Sequence, residues 1–224
     1  MELTQLPESD EYRKARDELR QAEIALRQHA EDVAQMRRDL PEGPVVDDYV
    51  FLEGPSDLDA GDEAHEVRLG ELFTGPGRAL IVYQLMFGKA QTSPCPMCTQ
   101  WIDGFNGIAR HITQNADLVI VAAADLPELR THARNRGWDR LRLLSCGDNT
   151  FKRDLNSEDD AGNQDSTVSV FNRDASGAVR HTYTGHPWLS EEIRERGIDL
   201  LCPTWNLLDL TPQGRGDWYS SLDY

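Results

Sequence analysis

The sequence has no long apolar run and few basic residues. Its 224 residues contain no uninterrupted apolar stretch of about 18, so we expect no segment to span a bilayer. Lys and Arg number 23 against 39 Asp and Glu, a formal net charge of -16. A surface of this sign repels phosphate backbones and anionic headgroups, so we expect neither nucleic-acid nor membrane partners. The N-terminus lacks the basic and apolar segments of a secretory signal, so the expected location is cytoplasmic.

Cysteine is also scarce, with four residues in the chain. In a reducing compartment such cysteines are expected to be redox-active or metal-bound thiols rather than structural disulfides. No internal repeat or low-complexity tract is evident. Hydrophobic residues make up 39% of the chain and charged residues 28%, which is enough for a normal core. The length fits one sizeable α/β domain with an appendage.

The first forty residues predict one long helix. Ser9 is the expected N-cap, and Pro41 ends the helix after Leu40. Apolar and small residues, interrupted by His29, follow alternating spacings of three and four along it, which is a heptad seam: Tyr12, Ala15, Leu19, Ala22, Leu26, Val33, Met36 and Leu40. A seam this narrow and long favours packing against another helix, in this domain or in a second copy. We favour a homodimer contact through this helix.

The central part of the chain alternates strand and helix patterns. Residues 79–86 and 117–124 are continuous apolar runs, typical of strands buried on both faces, and residues 141–145 form a third. A helix is predicted over residues 126–136, with Gly137 at its C-terminal end. Residues 167–171 and 178–183 predict a hairpin. This order predicts an α/β fold, a thioredoxin-like mixed sheet flanked by helices, with domains at residues 1–42 (helical appendage) and 43–224.

Three segments are less regular. The helix after Cys98 contains Gly104 and Gly107, which indicate a kink or break. Residues 146–166 show no clear periodicity, which compact domains seldom tolerate unless the loop is functional or mobile. A short helical piece is predicted near residues 190–196.

The candidate catalytic residues are Cys95 and Cys98, which follow a buried strand and precede a helix. At a helix N-terminus, free backbone N–H groups and the dipole favour a thiolate, the nucleophile of disulfide exchange. Pro96 fits the first helical turn. We expect Cys95 to attack and Cys98, one turn further and more buried, to resolve the intermediate. The function predicted is a thiol–disulfide oxidoreductase with a disulfide or peroxide substrate, an electron donor and no cofactor.

Three alternatives stay open. Cys146 and Cys202 could complete a zinc site with the pair, although they form no second Cys-x-x-Cys and lie far apart in sequence. All four cysteines could instead be small buried hydrophobes in a non-catalytic binding module. A thiol peroxidase is the third alternative, because Thr92 stands three residues before Cys95 as in peroxiredoxins, with Gly88 in place of the proline of that motif.

Several blocks of the sequence resemble the bacterial thioredoxin-like family called domain of unknown function 899. The resemblance is carried by residues 37–41, 48–51, 72–73, 85–88, 95–107, 181–183 and 208–215. It implies a thioredoxin-like fold and carries over no settled reaction. The chain lacks the Trp-Cys-Gly-Pro-Cys core of thioredoxins, and Ser166 and Thr167 stand where thioredoxins place a cis-proline. A thiol chemistry narrower than general protein-disulfide reduction is therefore expected. Trp101 and Asp103 could line the site or serve in packing and capping.

Overall fold

The computed structural model describes residues 6–61, 63–192 and 197–223. The chain divides into two compact units, Met1–Pro41 and Glu42–Tyr224. Within the described ranges, no helix combines the length and apolar character that crossing a membrane would need.

The first unit is built on helix α1, Asp10–Arg38. Ser9 is its N-cap, and the Ser9 hydroxyl accepts the Tyr12 N–H at 3.1 Å. The predicted helix and its cap are therefore confirmed. No residue of α1 is buried, and Leu26 and Met36 of the seam are about 70% exposed.

The second unit contains a seven-stranded mixed sheet. Its strands are β1 (Val50–Glu53), β2 (His65–Arg68), β3 (Ala79–Gln84), β4 (Asp117–Ala122), β5 (Arg142–Ser145), β6 (Thr167–Arg173) and β7 (Val179–Gly185), in the order β2-β1-β5-β4-β3-β6-β7. The three central strands β3, β4 and β5 are parallel, and the flanking strands pair antiparallel. The α/β mixed sheet and the hairpin of the sequence prediction are both confirmed.

The helices of this unit are α2 (Pro96–Ile112), α3 (Leu126–Arg136), α4 (Phe151–Asp154) and α5 (Pro203–Leu208), with 3₁₀ turns at Leu69–Leu72 and Asp199–Leu201. Helix α3 has the predicted bounds. Gly137 follows it at φ 68°, a left-handed conformation that glycine adopts without steric cost.

The core lies on both faces of the sheet. In β4, Leu118 and Ile120 pack into the cluster on one face, whereas Val119 and Val121 pack into the cluster on the other. This alternation of buried side chains explains why the strand is apolar at successive positions. The first face carries α2 and both Cys95 and Cys98, and the second carries Phe51 and Phe151.

The structure corrects several local predictions. Helix α2 is unbroken, because Gly104 and Gly107 keep helical backbone and neither position is crowded. Strand β3 ends at Gln84, two residues before the end of the predicted run 79–86, and residues 85–95 separate it from α2. The segment 146–166 is not wholly irregular, since it contains the one-turn helix α4. A helical piece was predicted near residues 190–196. Residues 190–192 are not helical, and residues 193–196 are outside the part of the chain that the structure describes.

Candidate active site

Cys95 is the N-cap of the 17-residue helix α2, and Pro96 is its first residue. The Cys95 N–H donates to the Met86 carbonyl at 3.0 Å, which ties the connection after β3 to the start of α2. The Cys95 carbonyl accepts both the backbone N–H and the hydroxyl of Thr99, each at 3.0 Å. The backbone is therefore fixed on both sides of Cys95, and its thiol lies at the positive end of the helix dipole.

The two thiols of the pair differ in burial. Cys95 is partly accessible, whereas Cys98 is 2% exposed. Burial raises the pKa of the Cys98 thiol well above its usual range, and the neighbouring Cys95 thiol raises it further. Cys98 is therefore a neutral thiol at neutral pH in the reduced protein.

Tyr83 lies on β3 beneath this pair. Its ring is fully buried, and its hydroxyl finds no hydrogen-bond partner of good geometry among the described residues. Burial raises the pKa of the Tyr83 hydroxyl well above its usual value, with a further contribution from Cys98. Tyr83 was not predicted as a site residue, although a tyrosine inside the apolar run 79–86 was a visible signal.

A cavity of about 260 Å³ opens over the cysteines. It is lined by Met86, Cys95, Met97, Cys98, Trp101, Gln164, Asp165, Ser166, Pro187, Trp188 and Tyr219. Ser166, which the sequence analysis noted at the cis-proline position, thus shares the cavity with both cysteines. Most of the other lining residues come from the segment before β6, from residues 187–188 and from the C-terminal tail, whose approach to Cys95 no local sequence pattern indicated.

The two other residues singled out near the pair have different positions. Trp101 is part of the cavity wall, and its buried indole N–H finds no acceptor among the described residues. Asp103 does not line the cavity. Its carboxylate binds the Arg136 guanidinium and accepts the Trp138 indole N–H at 2.8 Å, so it joins α2 to the end of α3. Of the two open roles for Asp103, packing is the one the structure supports.

Cys146 and Cys202 are not among the residues that line this cavity. Cys146 follows β5 and is 3% exposed, and burial raises its pKa to about 11. Cys202 is 1% exposed at the start of α5, where its sulfur accepts the Gln100 amide at 3.1 Å. Among the described residues, no group of three or more His, Cys, Asp or Glu side chains is arranged to hold a metal ion. The four sulfurs therefore do not converge on a zinc site.

Lys152 is a second residue near the cavity that no sequence pattern predicted. It lies on α4 within the segment 146–166 and is 1% exposed. Its Nζ donates to the Leu85 carbonyl at 3.2 Å and to the Ser157 hydroxyl at 3.3 Å, and that hydroxyl donates to the Asp165 carbonyl at 2.8 Å. Lys152 thus ties the end of β3 to the wall of the cavity. The unusual length of the aperiodic segment 146–166 had indicated that this segment was functional or mobile, but it did not single out Lys152.

Comparisons with known proteins agree with this architecture. Solved structures of similar fold include the reduced 2-Cys peroxiredoxin of Plasmodium vivax, with a TM-score of 0.50 and 14% identity over 71% of this chain and 78% of that chain. The mitochondrial 2-Cys peroxiredoxin of Plasmodium falciparum gives a TM-score of 0.50 and 12% identity over 76% and 95%. At such identities the likeness concerns the fold alone, and it confirms the thioredoxin-like prediction.

Sequence comparison gives the family. No curated protein matches the chain. The family model described as "Bacterial protein of unknown function (DUF899)" matches residues 1–224. The match covers the whole chain, including the blocks around the cysteine pair and near the C-terminus. The chain therefore belongs to this bacterial family, DUF899.

Proposed function

We propose that the chain is a thiol-dependent oxidoreductase in which Cys95 attacks a disulfide or a peroxide and Cys98 resolves the intermediate. The observation that carries the proposal is the placement of a partly accessible cysteine at a helix N-terminus and at the wall of a cavity, with a buried thiol one turn behind it. A shared fold does not assign a reaction, so the proposal rests on the chain's own residues.

The first step belongs to Cys95. The N-terminal N–H groups of α2 and the helix dipole stabilise a thiolate there, and no acidic residue stands in the first turn to oppose it. The thiolate attacks one sulfur of a disulfide and expels the other as a thiolate, which leaves a mixed disulfide on Cys95. With a peroxide, the thiolate takes the terminal oxygen and becomes a sulfenic acid, and the rest of the substrate leaves as an alcohol or as water.

The second step belongs to Cys98. Because burial keeps Cys98 protonated, it does not compete with Cys95 for substrate. Once Cys95 is modified, the Cys98 sulfur attacks the Cys95 sulfur and gives up its proton. The remaining thiol or a water molecule is released, and a Cys95–Cys98 disulfide forms. A reductant that supplies two electrons, such as a dithiol, returns the pair to its starting state.

The test compares four serine variants. Cys95→Ser should abolish turnover, whereas Cys98→Ser should trap a mixed disulfide or a sulfenic acid on Cys95 because the resolving thiol is lost. Cys146→Ser and Cys202→Ser are matched controls, since both cysteines are buried as Cys98 is but line no part of the cavity. The measurement is mass spectrometry of intact and digested protein after mild oxidation, together with turnover of both substrate types in the presence of dithiothreitol.

Two results would contradict the proposal. One is a wild-type protein that forms no Cys95–Cys98 disulfide under mild oxidation and turns over neither substrate. That result would favour the non-catalytic binding module. The other is stoichiometric zinc released on alkylation of the cysteines, which would favour the metal site. The chemical state trapped in Cys98→Ser separates the peroxidase from the disulfide oxidoreductase.

A further inference from the structure

The opening of the cysteine cavity carries two large aromatic side chains that are only half buried. Trp188 is 50% exposed and Tyr219 is 51% exposed, and both line the cavity. Met86 and Met97 line it as well. Aromatic rings and thioethers supply apolar contact area with little directional preference, which suits an alkyl or aryl group of variable shape.

The position of Trp188 is fixed by hydrogen bonds at the cavity wall. The Trp188 backbone N–H donates to His186 Nδ1 at 3.0 Å, so the proton of this imidazole is on Nε2, which donates to the Asp165 carboxylate at 2.8 Å. Next to Tyr219, the Ser220 hydroxyl is buried and hydrogen-bonded to the Gln100 side chain on α2. Both rings are therefore held at the opening by the backbone beside them.

The charges at the cavity select against anions. Asp165 contributes a carboxylate to the wall, and none of the described residues that line the cavity is Lys, Arg or His. The formal net charge of the chain is -16. Anionic substrates such as carboxylated peptides are repelled both at long range and at the wall. A cavity of about 260 Å³ holds one small molecule rather than a peptide segment.

Trp101, one of the residues that line the cavity, has a side-chain donor without a partner among the described residues. The Trp101 indole N–H is buried, and it lacks an acceptor within the described part of the chain. A buried donor without a partner is costly, so a ligand atom that accepts its hydrogen bond gains affinity. Oxygen is a strong acceptor and a divalent sulfur a weak one, which favours an O–O over an S–S substrate.

We infer that the cavity takes neutral organic hydroperoxides, with the apolar group against Trp188 and Tyr219 and the peroxide oxygens beside Cys95 and Trp101. This inference rests on the proposed function. The Cys95 thiolate bonds to the terminal oxygen and the O–O bond breaks, and the alkoxide takes one proton and leaves as an alcohol. Cys98 then displaces water from the Cys95 sulfenic acid, and a dithiol reductant returns two electrons and two protons.

The test compares cumene hydroperoxide with hydrogen peroxide, using dithiothreitol as reductant. We expect wild-type kcat/KM to be higher for cumene hydroperoxide. Trp188→Ala should lower kcat/KM for cumene hydroperoxide about tenfold more than it lowers kcat/KM for hydrogen peroxide, since only the aryl group contacts the ring. Trp188→Phe should recover most of the loss. Tyr12→Ala, which removes an exposed ring in the other unit, is the control.

Trp101→Phe keeps an aromatic ring in the wall and removes the N–H. It should lower kcat for both peroxides, because the donor serves the oxygens that the two substrates share. The proposed binding of an apolar group would be overturned if wild type had the same kcat/KM for the two peroxides. It would also be overturned if Trp188→Ala lowered both kcat/KM values by the same factor. Faster turnover of the neutral disulfide 2,2′-dithiodipyridine than of cumene hydroperoxide would overturn the choice of O–O over S–S.

A binding measurement separates this inference from the proposed function. Cumyl alcohol, the product of cumene hydroperoxide, should protect Cys95 from alkylation by iodoacetamide, and Trp188→Ala should weaken that protection. Protection without turnover would reject the redox proposal while the apolar site stands. Turnover of hydrogen peroxide without protection would keep the redox proposal and reject the site inferred here.

Discussion

At the scale of single residues, three buried polar side chains lie at or near the candidate site, and the fold provides hydrogen bonds for only some of them. Tyr83 and Cys98 are neutral at physiological pH because burial disfavours their anions. Lys152 is the buried cation of the region, and burial lowers its pKa to about 8. Burying its ammonium group costs desolvation free energy. Its hydrogen bonds to Leu85 and Ser157 offset part of that cost and hold the end of β3 against the cavity wall.

Lys152 predicts a pH dependence of stability. Its pKa is about 8 in the folded chain against an ordinary value of 10.5, so the unfolded state binds more protons between these values. The contribution of Lys152 to the free energy of unfolding should therefore rise with pH from about 8 to about 10.5 by up to roughly 3 kcal/mol and stay constant below pH 8. The raised pKa values of Tyr83, Cys98 and Cys146 act in the opposite direction above about pH 9, so the rise is read as the difference in stability between wild type and Lys152→Met. Lys152→Met should remove the rise. Urea unfolding at several pH values measures it.

The control for that experiment is Lys14→Met, which replaces an exposed lysine of α1 and should keep the rise. A variant Lys152→Met whose stability climbs with alkaline pH as steeply as wild type would show that Lys152 is not the group responsible.

At the scale of elements, helix α2 joins the cysteine pair at its N-terminus to the end of helix α3. Pro96 begins the helix directly after Cys95, and Asp103 joins it to the end of α3 through Arg136 and Trp138. The helix is unbroken although Gly104 and Gly107 weaken its intrinsic propensity. Tertiary packing on the apolar residues of its inner face outweighs that weakness.

Two glycines at helix positions should respond in opposite directions to alanine. Gly137 has φ 68° at the end of α3, where a Cβ is strained, so Gly137→Ala should lower the free energy of unfolding by about 1 kcal/mol. Gly107 lies in α2, and an added methyl group there would meet open space, so Gly107→Ala should raise stability by about 0.5–1 kcal/mol. Thermal unfolding of both variants measures the difference. Effects of the same sign would refute this account of the two positions.

At the scale of the whole molecule, the chain consists of a helical unit and an α/β unit. We propose that residues 1–42 are an appendage and that residues 43–224 carry the redox site. The cysteine cavity is lined by residues of the second unit. Within the helical unit, the apolar seam of α1 is exposed at Tyr12, Leu19, Leu26 and Met36, and the homodimer prediction places these side chains against a second copy.

The homodimer prediction concerns that seam. We expect the full chain to sediment as a dimer at micromolar concentration, because pairing two seams removes their apolar side chains from water. Removal of residues 1–40 should give a monomer that retains its folded circular dichroism spectrum. The dimer contact would be rejected if the full chain were strictly monomeric and if removing residues 1–40 changed its sedimentation only by the mass that was removed.

Local patterns predicted much of this structure. Ser9 and Pro41 bracket α1, and Gly137 ends α3, because caps and breakers act on the backbone within a few residues. The apolar runs predicted β3 and β4, since a strand covered on both faces needs apolar side chains at every position. The Cys95–Pro96 junction was predicted on the same local basis.

The sequence by itself thus determined α1, α2, α3 and the strands β3 to β7, their order and the place of Cys95 at a helix start, because these follow from hydrogen bonding and hydrophobic periodicity over short distances. It did not predict the short elements β1, β2, α4 and α5. Only the tertiary structure decided what surrounds that cysteine. Tyr83, Asp165, Trp188 and Tyr219 are up to 136 residues apart, and Lys152 reaches Leu85 across 67 residues. Such contacts arise from packing layers around one sheet, so no spacing along the chain encodes them.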